Sequence, residues 1–354
     1  MRVKKLSEQL KSDETALITS TENRKYFTDF SSTDGYLLVS ATGSIFITDS
    51  RYIEAARSEI KECDEILLQN KVSYQIDEAL EKFGAKKLLI EASRTTVSQY
   101  NEYKEKYSNF NVVADGELDK SIDAMRAVKD EEEKAKIIKA QRIAEKAFEF
   151  IAKYIEEGKT ERQIALELDY FMLKNGAEDL AFDTIVVSGK NSSKPHGVPS
   201  KKRIEKGDFI TMDFGCCIGS YHSDMTRTVA VGDVTTRMAQ VYDTVLKAQQ
   251  EAISKIRNGA SASECDKAAR DVIDNAGFDG CFGHGTGHSL GIEIHEKPAL
   301  CPSSRDILKT GNIVTVEPGI YLEGSMGVRI EDMLFVTENG SENLTNAPKA
   351  LLVL

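Results

Sequence analysis

The sequence predicts an α+β protein of two domains, a smaller α/β domain in residues 1–120 and a mixed domain in residues 121–354. Three observations support this prediction. The chain has 354 residues, more than one hydrophobic core usually accommodates. Its first third alternates short apolar runs with helical patterns. In the remainder, the strand patterns come as hairpins and do not alternate one-for-one with helices, which distinguishes an α+β domain from a doubly wound sheet.

Short strands and amphipathic helices alternate through the first domain. The predicted strands are TALITS, GYLLVS, GSIFITD, EILLQN and KLLIEA, with a hairpin around Ala41-Thr42-Gly43. Helices are predicted for SRYIEAARSEI and SYQIDEALEKFG, which end near polar or glycine signals. We place the domain boundary in the region 116–121, just upstream of a much longer helical segment.

That long segment runs from Lys129 to Glu157 and stops at Gly158. It is acidic at its start, as a helix N-terminus favours. One apolar stripe recurs at helical spacing, formed by Ile137, Ala140, Ile143, Ala144, Ala147, Ile151 and Ile155. Further helices are predicted at about 160–174, 235–257 and 261–275. Strands are predicted for DTIVVSG, DFITMDFGCCIGSYHSDMTRTVAV and NIVTVEPGIYLEGSMGVRIEDMLFVT.

Composition narrows the classes of partner and the compartment. The net charge of −11 argues against nucleic acid or an anionic membrane as the main partner, because both are polyanions. No run approaches the roughly 18 apolar residues of a membrane span, and the N-terminus lacks the apolar core of a signal peptide. The six cysteines form no C-x-x-C pair, which is typical of reduced thiols in a cytoplasmic protein.

The stretch GHGTGHSLGIEIHEKP, residues 283–298, holds three of the five histidines. A metal site, a nucleotide loop and a polar segment without chemistry all fit this composition. The glycine-rich nucleotide fingerprint would need glycine at 288, where histidine stands. The zinc-protease helix motif is excluded because His295-Glu296 is followed by Lys-Pro. Whether the stretch belongs to a metal site or is a polar segment without chemistry depends on acidic residues elsewhere in the chain.

Two predicted hairpins each present a pair of acids. In FITMDFGCCIGSYHSDMTRT, a two-residue turn at Ile218-Gly219 would set Asp213 opposite Asp224, with Cβ atoms about 4.5–5.5 Å apart. In TVEPGIYLEGSMGVRIEDM, a three-residue turn centred on Gly324 would set Glu317 opposite Glu331. Pro318 disturbs that ladder, because proline cannot donate a hydrogen bond.

Facing carboxylates repel each other unless a cation lies between them. A single acid on a strand is usually solvated, but two facing pairs beside a histidine cluster favour a metal site. The four negative charges of these carboxylates balance the positive charge of two divalent cations. One imidazole and a bridging hydroxide would complete a dinuclear site. Oxygen-rich ligation suits Mn²⁺, and Co²⁺, Fe²⁺ or Zn²⁺ also fit such a site.

The motifs TMDFG…SDMTRT, HGTGHSLGIEIHE, EPGIY and GVRIED resemble those of the Xaa-Pro peptidases, prolidase and aminopeptidase P. These belong to the pita-bread metallopeptidases, with methionine aminopeptidase and creatinase. The resemblance implies a C-terminal pita-bread domain, and the N-terminal third looks like the accessory domain of the prolidase and creatinase branch. It implies two divalent metal ions per chain, Mn²⁺ or Co²⁺, with Zn²⁺ or Fe²⁺ as alternatives.

Carried over residue by residue, the resemblance implies roles for the site. The metal ligands would be Asp213, Asp224, His288, Glu317 and Glu331, with Asp224 and Glu331 bridging the two ions. His196 would contact the substrate near the scissile bond, His295 would stabilise the tetrahedral intermediate, and His284 would lie in the substrate pocket. Arg329 would orient Glu331 or pair with another acid, and Tyr321 would face the pocket. We interpret His222 as structural.

The implied reaction is hydrolysis of the bond between an N-terminal residue and proline, by a hydroxide bridging two metal ions, with Glu317 as proton shuttle. The implied substrates are small peptides with proline second, as for a dipeptidase or an aminopeptidase. The accessory domain implies a homodimer. Two alternatives remain open on this fold: a metal-independent creatinase-like hydrolase and a non-catalytic binding module.

Overall fold

The computed structural model describes residues 2–354, and they divide into two compact units after Arg126. The boundary drawn from sequence at residue 120 lies inside the helix Glu117–Ala127. That helix buries Leu118 and Ile122 on one face, so its chain continues without a break past the predicted boundary. Across residues 2–354, no helix combines the length and the apolar character needed to cross a membrane.

The first unit is a six-stranded mixed sheet with helices, as the α/β pattern predicts. Its elements are α1 Arg2–Ser7, β1 Glu14–Ile18, α2 Thr21–Thr28, β2 Tyr36–Ser40, β3 Ser44–Thr48, α3 Ile53–Glu59, β4 Glu65–Leu68, α4 Val72–Lys82, β5 Lys87–Ile90, α5 Val97–Lys106, β6 Asn111–Val113 and α6 Glu117–Ala127. The strand order is β4-β3-β2-β1-β5-β6. The hairpin of β2 and β3 is antiparallel, and β5 pairs with β1 in parallel. Helix α5, which was not predicted, buries none of its residues, so it has no apolar stripe to detect.

The second unit packs helices against several antiparallel sheets. Its elements are α7 Glu131–Tyr154, α8 Glu161–Lys174, β7 Asp179–Leu180, β8 Ile185–Ser188, β9 Phe209–Phe214, β10 Cys216–Ile218, β11 Tyr221–His222, β12 Met225–Ala230, α9 Thr236–Lys255, α10 Ala262–Ile273, β13 Gly287–Ser289, β14 Glu296–Leu300, β15 Ile313–Val316, β16 Gly319–Leu322, β17 Met326–Arg329, β18 Asp332–Val336 and β19 Ser341–Asn343. The sheets have the orders β11-β10-β7, β12-β9-β8, β14-β13-β15-β18-β19 and β16-β17. The predicted α+β character is confirmed.

Helix α7 shows why its sequence forms a long helix. Asp130 caps its N-terminus: its side chain accepts from the Glu133 backbone N–H, and the Glu133 side chain accepts from the Asp130 N–H. All seven residues of the predicted apolar stripe are buried. All of them except Ile137 pack in one core with residues of α8, β9 and β12. The stripe therefore fixes this helix against the strands that carry the acidic residues.

The first acidic hairpin turns one residue later than predicted. Ile218 pairs with Tyr221, and Asp213 pairs with Thr226 instead of Asp224. The turn residues are Gly219 and Ser220, with φ of 57° and 65°. A turn at Ile218-Gly219 would have placed the β-branched Ile218 at positive φ, which costs energy. Asp224 consequently lies two residues from the partner of Asp213.

The second acidic hairpin has the predicted register. Leu322 pairs with Met326 around the Gly324 turn, and Val316 pairs with Asp332 in the neighbouring sheet. Glu317 and Glu331 therefore occupy opposing positions between two ladders of the same register. Pro318 follows Glu317 at the point where β15 ends and before β16 begins, in keeping with its inability to donate to a ladder.

Candidate active site and metal centre

Two strands and three interruptions between strands bring together the five residues predicted as metal ligands. Asp213 lies in β9, Asp224 between β11 and β12, His288 in β13, Glu317 between β15 and β16, and Glu331 between β17 and β18. All five line one cavity of about 590 Å³, together with His196, His284, His295 and Arg329. The cavity wall also includes the apolar residues Phe182, Ile185, Val198, Pro199 and Ile294.

The nitrogen of one histidine lies between two of the carboxylates. His288 Nε2 is 3.6 Å from Asp224 Oδ2 and 3.5 Å from Glu317 Oε1. Asp224, His288 and Glu331 each offer one ligand atom, and these atoms all lie within 4.8 Å of one another. This spacing leaves room for a cation among them.

His288 is held in the tautomer that a metal ligand needs. Its Nδ1 lies 3.2 Å from the Ser289 carbonyl oxygen, and because a carbonyl only accepts, Nδ1 carries the proton. The lone pair of Nε2 therefore faces the carboxylates. Burial lowers the pKa of His288 to about 4, so the ring stays neutral at pH 7.

A glycine lets the strand of His288 reach this position. A Cβ atom at Gly287 would lie 2.0 Å from the Thr315 carbonyl oxygen, so only glycine fits beside β15. The close approach allows Thr315 Oγ1 to accept the backbone N–H of His288 at 3.1 Å.

The carboxylates are buried with too little positive charge. In the absence of cations, burial raises the pKa of Asp224 and Glu331 well above the ordinary range. Burial also raises the pKa of Glu317 to about 8, although Arg329 opposes this rise. Asp213 Oδ1 and Glu331 Oε1 are buried without a hydrogen-bond partner among residues 2–354. Orphaned acceptors in an acidic cluster are the arrangement that divalent cations satisfy, so the donor set fits a metal centre.

Arg329 is the one arginine or lysine among the described residues that line the cavity. Its Nη2 donates to Asp213 Oδ2 at 2.7 Å, and its Nε lies 4.0 Å from Glu317 Oε2. It is 3% exposed. Arg329 was expected either to orient Glu331 or to pair with another acid. It pairs directly with an acid, and that acid is Asp213.

Arg329 also reaches Glu331, through a threonine that sequence reasoning missed. Arg329 Nε donates to Thr226 Oγ1 at 3.0 Å, and the Thr226 hydroxyl donates to Glu331 Oε2 at 2.7 Å. The hydroxyl is thus directed by the arginine, and Glu331 keeps Oε1 for another partner. The position of Thr226, two residues after Asp224 in the strand pattern, is the signal that would have identified it.

His284 lies in the cavity but has partners of its own. Its Nδ1 donates to the Gly285 carbonyl oxygen at 2.8 Å, so its Nε2 accepts from the Tyr321 hydroxyl at 2.8 Å. That hydroxyl also accepts from Arg329 Nη1 at 2.8 Å. Tyr321 was expected to face the pocket, yet among residues 2–354 it is not part of the cavity lining. The reason is that its hydroxyl connects His284 to Arg329.

The other two cavity histidines are solvent-accessible. His196 and His295 are both exposed and line the cavity. The ring of His295 packs edge-on against that of His288, with centroids 4.4 Å apart. His222, interpreted as structural, contacts the Gly291 carbonyl oxygen through Nδ1 at 2.9 Å. It is not among the cavity-lining residues in the described part of the chain.

Helix α10 holds the loop before His288, a contribution that the sequence did not show. Asp266 Oδ1 accepts the Thr286 backbone N–H at 3.0 Å, and Arg270 donates to the carbonyl oxygens of Phe282 and His284. The Thr286 carbonyl in turn accepts the Glu317 N–H at 2.7 Å. The Asp266–Arg270 pair therefore supports two sides of the cavity at once.

Comparisons with known proteins agree with this architecture. Residues 135–338 match Metallopeptidase family M24, and residues 2–128 match the Creatinase/Prolidase N-terminal domain. The chain is 38% identical to an Xaa-Pro dipeptidase of Pyrococcus furiosus, covering 90% of this chain and 89% of that protein.

Solved structures of similar proteins have the same fold over the whole chain. An Xaa-Pro dipeptidase from Bacillus anthracis has a TM-score of 0.92 at 38% identity, covering 100% of this chain and 98% of that one. An X-Pro aminopeptidase from Thermotoga maritima has a TM-score of 0.90 at 35% identity, covering 99% and 100%. With its pita-bread domain and its clustered acids and histidines, this chain belongs to metallopeptidase family M24, in the branch that carries a creatinase/prolidase N-terminal domain.

Proposed function

We propose that the protein hydrolyses the peptide bond between an N-terminal residue and a following proline, as an Xaa-Pro dipeptidase or aminopeptidase. The observation that carries the proposal is the cluster of four carboxylates and the neutral His288 in one cavity that also exposes His196 and His295. Similar proteins with whole-chain coverage are named Xaa-Pro dipeptidase and X-Pro aminopeptidase.

We propose that the five ligands hold two divalent cations, Mn²⁺ or Co²⁺ before Zn²⁺ or Fe²⁺. The support is the oxygen-rich donor set and the two buried oxygens without partners, Asp213 Oδ1 and Glu331 Oε1. Such cations would supply an acidified water and polarise the scissile carbonyl.

Side chains of the protein would transfer the proton, stabilise the developing negative charge and position a metal ligand. Glu317 takes a proton from the attacking water at a carboxylate oxygen and delivers it to the leaving proline nitrogen. His196 and His295 donate N–H groups toward the carbonyl oxygen, where negative charge develops during attack. Arg329 keeps Asp213 in place through its 2.7 Å hydrogen bond. These roles require both histidines at the cavity surface, where the structure has them.

The apolar wall supports the preference for proline. An Xaa-Pro bond is a tertiary amide without N–H, and the ring fixes φ, so a protease that recognises the backbone N–H cannot bind it. A shaped apolar surface binds the ring instead, and Phe182, Ile185 and Ile294 line the cavity. We propose small peptides with proline at the second position as substrates.

Assembly and location are further parts of the proposal. The creatinase/prolidase type of N-terminal domain supports a homodimer. The six free cysteines, three of them buried, support a cytoplasmic, reducing environment.

The test is a comparison of Ala-Pro with Ala-Pro-Ala as substrates of the purified protein after metal reconstitution. Cleavage of the dipeptide alone would identify a dipeptidase, and cleavage of both an aminopeptidase. Failure to cleave either peptide, with no metal found by elemental analysis, would favour the non-catalytic binding module. Full activity of an Asp224→Asn/Glu331→Gln variant would favour a metal-independent, creatinase-like hydrolase.

A further inference from the structure

A buried glutamate lies behind the cavity wall and takes no part in the functions described above. Glu161 is the first residue of α8 and has 0% of its surface exposed. It is not part of the cavity lining, and no ion pair involves it within residues 2–354. A carboxylate buried without a cation requires several hydrogen-bond donors to offset the loss of water.

The two oxygens of Glu161 bind the two ends of one chain segment. Oε1 accepts from the Ser188 backbone N–H at 2.7 Å and from its hydroxyl at 2.9 Å. Oε2 accepts from the Ser200 backbone N–H at 3.0 Å and from its hydroxyl at 2.6 Å. The Asn191 amide donates to both oxygens, at 3.2 and 3.3 Å. One side chain therefore closes residues 189–199, here called the pocket segment, into a loop.

The pocket segment forms one wall of the cavity. Pro195, His196, Gly197, Val198 and Pro199 all line it. The Pro195 carbonyl oxygen accepts from Arg329 Nη1 at 3.2 Å, so the segment touches the residue that holds Asp213. A Cβ at Gly197 would lie 2.6 Å from Val187 Cγ1. The segment thus fits closely on its inner side, while His196 remains exposed to the cavity.

We propose that Glu161 is a positioning residue for His196, acting on the reaction through the pocket segment that it closes. The proposal rests on the proposed function, because it assigns to His196 a contact with the substrate. Catalytic groups lose effectiveness steeply when they are misplaced, by about 100-fold for a shift of 1 Å. A carboxylate bound at both ends of the segment limits such shifts.

Glu161→Gln is the sharpest variant, because it keeps the size and shape of the side chain. Both oxygens of Glu161 face backbone N–H groups, which can only donate. The amide NH₂ of glutamine would therefore face an N–H at Ser188 or at Ser200, and one end of the segment would be released. Glu133→Gln is the matched control: Glu133 is also buried and accepts from the Tyr221 hydroxyl at 2.7 Å, but it is outside the cavity lining.

The experiment is a double-mutant cycle of Glu161→Gln with His196→Ala, read as kcat/KM for Ala-Pro in the Mn²⁺-loaded protein. In the wild-type background, Glu161→Gln should lower kcat/KM about tenfold or more. In the His196→Ala background it should change kcat/KM by less than about twofold, because the residue it acts through is gone. Glu133→Gln should stay within about twofold of wild type. Amide hydrogen exchange in residues 189–199 should be faster in Glu161→Gln than in wild type, and it should be unchanged in Glu133→Gln.

Equal losses from Glu161→Gln in both backgrounds would overturn the proposal, and so would unchanged hydrogen exchange in the pocket segment. If Glu161→Gln does not fold, Ser188→Ala/Ser200→Ala removes one hydroxyl donor at each end and keeps the carboxylate. That variant must show the same dependence on His196 with a smaller loss, or the proposal is wrong. Wild-type protein that cleaved neither Ala-Pro nor Ala-Pro-Ala would contradict the proposed function instead, and the exchange measurement would still test the closure of the segment.

Discussion

At the scale of single residues, the site is defined by which atom of each ligand is already engaged. His288 Nδ1 donates to the Ser289 carbonyl oxygen, Glu331 Oε2 accepts from the Thr226 hydroxyl, and Asp213 Oδ2 accepts from Arg329. The opposite oxygens, Asp213 Oδ1 and Glu331 Oε1, are buried without a hydrogen-bond partner among residues 2–354. The opposite nitrogen, His288 Nε2, lies 3.6 Å from Asp224 Oδ2 and 3.5 Å from Glu317 Oε1. Such outer partners orient metal ligands and tune their affinity. The protein thus presents preorganised ligand atoms.

The first prediction concerns the pH dependence of stability in chelated protein. Without cations, the pKa of Glu317 is about 8 in the folded state, against 4.5 as its ordinary value, and those of Asp224 and Glu331 are raised too. At pH values between the unfolded-state and folded-state pKa of these carboxyl groups, the folded state binds more protons than the unfolded state. The free energy of unfolding therefore falls as pH rises. We expect the unfolding temperature of EDTA-treated protein to decrease from pH 6.5 to 8. The histidines with lowered pKa, His222, His284 and His288, are neutral in the folded state but about half protonated in the unfolded state at pH 6.5. They therefore offset part of the decrease near pH 6.5 and none of it above about pH 7.5.

Added Mn²⁺ should reverse this loss, since a cation replaces the protons on the same carboxylates. The rise in unfolding temperature on adding Mn²⁺ should therefore be larger at pH 8 than at pH 6.5, measured by differential scanning fluorimetry. Glu331→Gln is the control, because it removes one titrating ligand and should reduce both the pH dependence and the effect of Mn²⁺. A Mn²⁺ effect of equal size at both pH values would contradict the prediction.

At the scale of elements, the start of α7 supports the strands of the site through a buried ion pair. Lys129, one residue before the cap of this helix, has a side chain 1% exposed, and its Nζ lies 3.0 Å from Glu296 Oε2. It also donates to Ser289 Oγ at 3.1 Å. Ser289 follows His288 and Glu296 follows His295, so a single lysine binds next to two cavity histidines.

The second prediction is that Lys129→Met strongly destabilises residues 127–354. Breaking a buried ion pair by removing one partner costs about 3–5 kcal/mol, because the other charge stays buried. Urea denaturation of chelated protein should show a decrease of this size in the free energy of unfolding. Lys267→Met is the matched control: its pair with Asp271 is exposed, and such pairs contribute about 1 kcal/mol or less.

Lys129→Met/Glu296→Gln should recover part of the lost stability, because neither member of the pair then remains buried and charged. Losses of equal size in Lys129→Met and Lys267→Met would show that the buried pair has no special role. The prediction would then be wrong, although the contact itself is present.

Elements with a strong local signal could be predicted from sequence. The apolar stripe of α7 and the Gly324 turn were located correctly, since helical periodicity and turn geometry depend on neighbouring residues. The turn of the first hairpin was predicted wrongly, because the hydrophobic pattern allowed a turn at Ile218-Gly219 or at Gly219-Ser220. The choice between them depended on which residues tolerate positive φ. Ser220 adopts φ of 65°, which the sequence did not indicate. The two acids of that hairpin still converge on the cavity, because their loops and strands belong to one site.

At the scale of the whole molecule, the acids of two hairpins and one histidine could be predicted as a group, whereas their supporting residues could not. Thr226 and Glu331 are 105 positions apart, and Lys129 and Glu296 are 167 apart. Such contacts depend on how sheets and helices pack, which no local pattern records. Glu161 shows the same limit: in the sequence it is one more acid at the start of a helix, and only the fold shows that it binds both ends of the pocket segment.

The most direct test of the account is the dependence of Ala-Pro hydrolysis on bound metal, with Ala-Ala as the comparison substrate. Protein stripped with EDTA is titrated with Mn²⁺ while bound metal and the rate of hydrolysis are measured together. The account predicts no cleavage by stripped protein, cleavage of Ala-Pro that rises as up to two Mn²⁺ bind per chain, and negligible cleavage of Ala-Ala throughout. Metal-free protein that cleaves Ala-Pro at the full rate, or metal-loaded protein that cleaves both peptides equally, would contradict it.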